Sequence, residues 1–105
     1  MPHLPTELRM AVYHVVWLKF GEGVPAQRVQ AHQQALRGLA AQVPGILSIT
    51  GGANFTDRAN GCTHGFVITL RDRQALADYA VHPRHVEVAS ALRQDAQVLV
   101  LDYEE

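Results

Sequence analysis

The sequence predicts an α+β domain in which helices cover one face of a four-stranded antiparallel sheet. A chain of 105 residues is long enough for one hydrophobic core but not for two. Hydrophobic residues make up 48% of the chain, which indicates a globular protein and not a disordered one. Segments with strand alternation and segments with helical periodicity follow one another in the order β-α-β-β-α-β. This is the order of the ferredoxin-like fold, a split βαβ arrangement.

Residues 1–10 contain two prolines and no periodicity, so we expect a flexible N-terminal arm ahead of a single domain at residues 11–105. The first strand is predicted over residues 11–20, AVYHVVWLKF, where side chains alternate between two faces. One face carries Val12, His14, Val16, Leu18 and Phe20, and the other carries Tyr13, Val15, Trp17 and Lys19. Both faces are largely apolar, which predicts that the strand is covered on both sides.

The first helix is predicted from Pro25, which suits a first helical turn, to about Val43. The Pro44–Gly45 pair that follows ends it. Its apolar stripe comprises Val29, Leu36, Leu39, Ala40 and Val43, and His32 falls within that stripe.

Two strands come next. The second strand is predicted over residues 46–55 and is expected to be weakened or bulged at Gly51–Gly52. Asn60–Gly61 is a strong signal for a tight turn. The third strand follows over residues 62–70, and its alternation places His64 on the same face as the apolar residues of that strand.

The second helical region is interrupted at Pro83. Asp72 is a suitable N-cap for the first part. Pro83 has no N–H and pushes His82 away from helical geometry, so the first part ends near Val81 and a second helix starts at Pro83. A fourth strand at residues 97–104 completes the sheet.

One face of this sheet has no helix to cover it. Tyr13, Val15 and Trp17 on that face are too apolar to be left in water, so a second sheet must cover them. The simplest source is another copy of the chain, which predicts a homodimer with its sheets packed face to face, a dimeric α/β barrel.

The charge pattern excludes several classes of partner. Ten acidic and nine basic residues are mixed along the chain for a net charge of −1, so neither nucleic acid nor a membrane surface is expected as a partner. The apolar runs are too short to cross a bilayer. The single cysteine, Cys62, excludes an internal disulfide and predicts a cytoplasmic protein.

The candidate site is centred on the segment DYAVHPRHVEV. Tyr79 lies in the last turn of one helix and His85 in the first turn of the next, and both fall on core-facing stripes. His14 and His64 face the same layer from the first and third strands, which are adjacent in this topology. Four polar aromatic side chains therefore converge beneath the helices, which predicts a cavity because buried polar groups are costly unless satisfied. Since those strands are antiparallel, His14 and His64 could lie roughly 10 Å apart.

These residue types suit acid/base chemistry on a carbonyl compound. The helix N-terminus and burial both favour a neutral His85, the form that a general base needs. Tyr79 would donate a hydrogen bond to a carbonyl or enolate oxygen. In the alternative interpretation, Tyr79 bonds a backbone carbonyl, His85 is a capping residue, and the strand histidines are satisfied core residues. No metal is expected, because HPRH is not a zinc motif and no carboxylate sits in the usual position, and no cofactor is expected, since the chain has no glycine-rich phosphate loop.

The segments YHVVWLKF, VPGILSITGGANF, GCTHGFVITL, LADYAVHPRHVEVA and VLVLDYE occur in this order and resemble the stress-responsive dimeric α/β-barrel (Dabb) family over about residues 11–104. The resemblance implies the ferredoxin-like fold, a barrel-forming dimer and a link to stress response. In a branch similar to polyketide cyclases, the tyrosine of DY and the second histidine of HP.H are catalytic, and they correspond to Tyr79 and His85. The pocket-lining histidines of that branch correspond to His14, His64 and His82. The chain departs from the family pattern at Cys62, where an aromatic residue is common.

The expected function is that of a stress-responsive A/B barrel protein that binds a small carbonyl compound and has cofactor-free, polyketide-cyclase-like acid/base chemistry. Two alternatives stay open. One is a non-catalytic dimeric stress-associated protein, and the other is a cofactor-free monooxygenase-like enzyme on the same barrel, by analogy of fold. A cavity reached by Tyr79, His85 and His14 favours chemistry, whereas a tightly filled interior favours a structural role.

Overall fold

A computed structural model describes residues 10–105, so the predicted arm at residues 1–10 falls almost entirely outside the described residues. The elements follow the predicted order, with the second helical region divided in two as Pro83 predicts. They are β1 (Val12–Phe20), α1 (Ala26–Gln42), β2 (Ile46–Ala53), β3 (His64–Leu70), α2 (Arg73–Val81), α3 (Pro83–Asp95) and β4 (Ala96–Glu104). Among these residues no helix combines the length and the apolar character needed to cross a membrane.

The four strands form one antiparallel sheet in the order β2-β3-β1-β4. β1 is therefore a central strand, with β3 on one side and β4 on the other. The register pairs His14 with Ile68 of β3 and with Asp102 of β4. Residues that pair directly share a face of the sheet, so this register decides which side chains meet beneath the helices.

The hydrophobic core lies between the sheet and the helices, on the face predicted from the alternation of β1. Its buried residues come from β1, β3, all three helices and the residue that directly follows α1. They are Val12, Val16, Leu18, Phe20, Leu36, Leu39, Val43, Phe66, Ile68, Leu70, Ala75, Tyr79, Val88 and Leu92.

Local signals set the ends of the two short helices. The Asp72 carboxylate accepts a hydrogen bond from the backbone N–H of Ala75, which confirms the predicted N-cap, and this bond lowers the pKa of Asp72. His82 has extended backbone geometry and caps α3, where its Nδ1 accepts from the backbone N–H of Arg84. The break between α2 and α3 thus follows from Pro83 and a side-chain cap directly before it.

The predicted bulge at Gly51–Gly52 is wrong. Both glycines pair in regular register with β3, and the irregularity of β2 lies between Ile46 and Ser48. A Cβ on Gly51 would approach the ring of Phe66 to 2.4 Å, so glycine is needed here for close approach and not for a bulge. The predicted tight turn is present, because Asn60 and Gly61 both have positive φ.

The opposite face of the sheet carries large apolar side chains in contact with solvent. Leu99 is 62% exposed, Leu101 63%, Trp17 44% and Tyr103 44%. Tyr103 also stacks on Tyr13 of the neighbouring strand, with ring centroids 5.1 Å apart. A contiguous apolar surface of this kind marks a site of interaction.

Candidate functional site

A cavity of about 240 Å³ lies between the sheet and the helices. Most of its lining is aliphatic, and its polar groups come from β1, α2 and α3. The lining residues are His14, Val16, Leu36, Tyr79, His85, Ala89, Leu92, Arg93, Val98 and Val100. Binding sites for small organic molecules have this composition, in which apolar walls hold a few polar groups that orient the ligand.

Tyr79 supplies the first of these polar groups. It is only 2% exposed, and its ring centroid lies 4.1 Å from that of His85 and 5.4 Å from that of His14. Within residues 10–105 its hydroxyl group makes no hydrogen bond. No fully enclosed side-chain polar atom of these residues lacks a partner, so the hydroxyl oxygen of Tyr79 is not fully enclosed. Burial, together with the negative charge of Asp102, raises the pKa of Tyr79 to about 12. The phenol therefore stays protonated and can donate a hydrogen bond to a ligand.

His85 is placed by the break at Pro83, which begins a new helix two residues before it. Its Nδ1 lies 3.2 Å from the carbonyl oxygen of Ala80. A carbonyl only accepts, so Nδ1 carries the hydrogen and the neutral ring keeps its lone pair on Nε2. Burial lowers the pKa of His85, and the nearby His14, Arg93 and His82 lower it further, against the opposing effect of the hydrogen bond to Ala80.

The sign of this pKa shift matters for the chemistry. Because the pKa of His85 lies below its usual value of 6.5, the ring is neutral at pH 7. A neutral imidazole with a free Nε2 lone pair is the form that removes a proton as a general base. The expectation that His85 is neutral is thus supported by geometry and by burial.

His14 is oriented by a carboxylate that sequence reasoning did not single out. The Nδ1 atom of His14 lies 2.5 Å from Oδ1 of Asp102, its direct partner on β4. The alternation of VLVLDY places Asp102 on the same face as Val98 and Val100. This inward-facing charge near the end of an apolar strand was the signal that could have identified it.

His64 lies at the other end of the sheet. It pairs with Leu18, four residues along β1 from His14, which corresponds to about 14 Å of strand. Its ring packs edge-on against Phe20 and its Nδ1 lies 2.9 Å from the hydroxyl of Thr63, while burial lowers its pKa. The convergence predicted for four side chains therefore holds for Tyr79, His85 and His14 and fails for His64.

His82 also lies outside the lining, since it caps α3. The structure offers no contact that supports the predicted ligand-binding role of His64 or His82, and that role stays a prediction. Arg93, in contrast, lines the cavity although sequence reasoning passed over it. An arginine in the last turn of a helix is common because it complements the helix dipole. The position of Arg93 in the sequence therefore gives no sign of a further role.

The three grouped side chains suit a proton transfer. The site combines a neutral imidazole, a phenol that donates and a second imidazole held by a carboxylate, all within an apolar enclosure. Within residues 10–105 no three His, Cys, Asp or Glu side chains are grouped so that they could hold a metal ion.

Comparison with known proteins gives consistent relatives. The sequence model of the stress responsive A/B barrel domain (Dabb) matches residues 12–105. The chain is 29% identical over 100 residues to a stress-response A/B barrel domain-containing protein of Arabidopsis thaliana, covering 92% of each. It is 26% identical over 97 residues to olivetolic acid cyclase of Cannabis sativa, covering 90% of this chain and 96% of that protein.

A solved structure gives the same result for the fold. A dimeric ferredoxin-like protein of unknown function from Jannaschia sp. is 30% identical and superposes with a TM-score of 0.79, covering 90% of this chain and 99% of that one. The predicted ferredoxin-like fold is thus confirmed both by the arrangement of strands and helices and by this likeness.

Proposed function

Since the chain belongs to the stress responsive A/B barrel domain family, we propose that it binds a small carbonyl compound and transfers a proton on it without a cofactor. The bound molecule would occupy the cavity between the sheet and the helices. One observation carries this proposal. His85 donates from Nδ1 to a backbone carbonyl, which leaves Nε2 as a base, and its ring centroid lies 4.1 Å from that of Tyr79, whose hydroxyl group makes no hydrogen bond within residues 10–105.

The reaction begins at the carbon next to the carbonyl group. Nε2 of His85 takes a proton from that carbon, and the electron pair moves onto the carbonyl oxygen to give an enolate. The hydroxyl of Tyr79 donates a hydrogen bond to that oxygen, and this bond strengthens as the negative charge develops. The 4.1 Å separation of the two rings allows one small molecule to contact both groups.

The enolate then has two possible outcomes. In the first, the imidazolium of His85 returns the proton to carbon, and the net result in D₂O is hydrogen exchange. In the second, the enolate carbon attacks another carbonyl in the same molecule, a carbon–carbon bond forms, and His85 gives its proton to the new alkoxide. The similarity to olivetolic acid cyclase supports the second outcome, a ring closure.

Hydrogen exchange tests the shared first step without knowledge of the natural substrate. The protein is incubated in D₂O with 2-pentanone or 5-oxohexanoate, and the loss of the α-proton signals is followed by NMR. We expect exchange with the wild type to be faster than exchange in buffer alone. His85→Ala should lose about 100- to 10,000-fold of that acceleration, which is the usual contribution of a general base.

Added imidazole serves as the matched control for this variant. Imidazole is expected to restore part of the exchange in His85→Ala, because it can occupy the space that the substitution leaves. A folded His85→Ala variant that exchanges as fast as the wild type would refute the assignment of His85 as the base.

We further propose that the chain forms a homodimer through the uncovered face of its sheet. The exposed side chains of Trp17, Leu99 and Leu101 make a continuous apolar surface on that face. The related protein from Jannaschia sp. is dimeric. Two copies packed sheet to sheet would bury this surface twice and leave the cavities beneath the helices separate.

The proposed compartment is the cytoplasm. Cys62 is a free and buried cysteine, and a free thiol is stable in a reducing compartment. Neither the mixed charge pattern nor the surface features described above favour a nucleic acid or a bilayer as partner.

A non-catalytic role is the second candidate, and one observation favours it. Tyr79 is almost fully buried, and His14 and His85 both pack against its ring, so the three side chains also contribute to the core. A purely structural cluster needs no cavity and no unpartnered phenol. The substitutions discussed below separate the two roles by measuring stability and exchange on the same variants.

A further inference from the structure

We infer that Arg93 makes the cavity selective for carbonyl compounds that carry a carboxylate, such as small oxo acids. This inference rests on the proposed function, because it assigns the substrate class of the same site. It starts from the position of a permanent positive charge in the lining of a mostly aliphatic cavity.

Arg93 and His85 line the cavity from the same helix. They are eight residues apart on α3, which corresponds to about 12 Å along the helix axis. Ala89 and Leu92 lie between them on the same face and also line the cavity. Arg93 is an exposed residue and also lines a neighbouring surface pocket, but helical side chains in general lean toward the N-terminus, and from Arg93 that direction leads along α3 toward His85.

No carboxylate of the described residues holds the guanidinium group of Arg93, since none forms an ion pair with it. The nearest acid in sequence, Asp95, is bound by Arg28 and His32. Asp102, the acid beside the cavity, is bound by His14. Among residues 10–105, no carboxylate therefore competes with a ligand for the charge of Arg93.

The charge of Arg93 also reaches His85, whose pKa it lowers. A bound carboxylate would offset that effect, so ligand binding and the protonation of His85 are linked. Arginine binds carboxylates through two parallel hydrogen bonds, which fixes the orientation of the ligand as well as its position. With the carboxylate on Arg93, the other end of the molecule extends toward His85 and Tyr79.

The size of the cavity limits the ligand. A cavity of about 150 Å³ accommodates benzene, so about 240 Å³ holds roughly ten non-hydrogen atoms. An oxo acid of this size has room for a carboxylate at Arg93, a short aliphatic chain against Ala89 and Leu92, and a ketone at Tyr79.

The test compares 4-oxopentanoate with 4-oxopentanamide, which has the same shape but no charge. Dissociation constants are measured by NMR titration for the wild type, Arg93→Gln and Arg58→Gln. We expect the wild type to bind the acid about 10- to 100-fold more tightly than the amide, as charge-assisted bonds contribute. Arg93→Gln should lose this preference. Arg58→Gln should keep it, since Arg58 lies in the β2–β3 loop, outside the lining, and its substitution changes the net charge equally.

The outcomes separate this inference from the proposed function. Equal binding of acid and amide by the wild type, or an unchanged preference in Arg93→Gln, overturns the role of Arg93 even if ketones still exchange their α-protons. Loss of the preference in both arginine variants would show a general effect of charge and would also overturn it. Absence of saturable binding of both probes overturns the site as a whole.

Discussion

Replacing Tyr79 with phenylalanine separates a catalytic hydroxyl group from a structural one. The substitution keeps the buried ring and its contacts with His14 and His85, and it removes only the oxygen. The hydroxyl makes no hydrogen bond within residues 10–105, so its loss leaves no partner of the described chain unsatisfied. We therefore expect the free energy of unfolding to change by less than about 0.5 kcal/mol, whereas loss of a made hydrogen bond would cost about 1 kcal/mol.

The same substitution should have a large effect on exchange. Removing one donor to a developing oxyanion costs about 100- to 1,000-fold in rate, or roughly 3–4 kcal/mol. The binding of 5-oxohexanoate should change much less, because the hydrogen bond strengthens only as the enolate forms. Stability is measured by urea denaturation, and the exchange rate is measured by NMR at saturating 5-oxohexanoate.

Tyr13→Phe is the matched control, since Tyr13 packs on Tyr103 on the opposite face of the sheet and outside the cavity. It should leave the exchange rate unchanged. A Tyr79→Phe variant that loses about 1 kcal/mol of stability and exchanges at the wild-type rate would refute the reasoning and favour the structural role.

The remaining predictions concern pH, assembly and stability. The rate of exchange should not depend on pH around pH 7 and should fall only in acid, because His85 must be neutral and its pKa lies below the usual histidine value of about 6.5. A half-maximal rate above pH 7 would contradict this. Leu101→Glu should convert the proposed dimer to a monomer in sedimentation experiments at micromolar concentration, because it places a charge in the proposed interface, and a wild-type chain that sediments as a monomer would contradict the proposed dimer. Asp95→Asn should lower the melting temperature at pH 7, since it weakens the bonds to Arg28 and His32. The pKa of Asp95 is lowered in the folded state, so this stabilisation is present above about pH 4 and should decline below it, and a difference that persists unchanged into acid would show another cause.

The order of strand and helix patterns along the chain, together with the alternation of apolar side chains in β1, was sufficient to predict most of the fold. The alternation of β1 decided the two faces of the sheet. It identified the face that meets the helices and the face left uncovered, and Pro83 placed the break between α2 and α3. These features depend on the local geometry of the chain, on period and on the missing N–H of proline, which a single sequence carries directly. The bulge predicted at Gly51–Gly52 was wrong, because glycine, which permits a bulge, also permits the ring of Phe66 to approach the strand closely.

The site was less accessible from sequence because it depends on register and on distance along each element. Alternation shows that His14 and His64 share a face, and the antiparallel order of their strands suggested a separation, but the pairing of β1 with β3 was needed to place them at different ends. The partner of His14, Asp102, is 88 residues away in the chain and meets it only through the pairing of β1 with β4. Arg93 was missed for a different reason, since its position in the last helical turn already has a sufficient explanation in the helix dipole.

The tautomer and charge of His85 at pH 7 test the central claim most directly. Long-range ¹H–¹⁵N correlation spectra of the imidazole rings, recorded before and after addition of 5-oxohexanoate, measure both. The structure predicts a neutral ring with its hydrogen on Nδ1, bonded to Ala80, and a shift of the unprotonated Nε2 signal when the ligand binds. An imidazolium at pH 7, a ring protonated on Nε2 alone, or an Nε2 signal that does not shift when the ligand is added would contradict the assignment of His85 as the base.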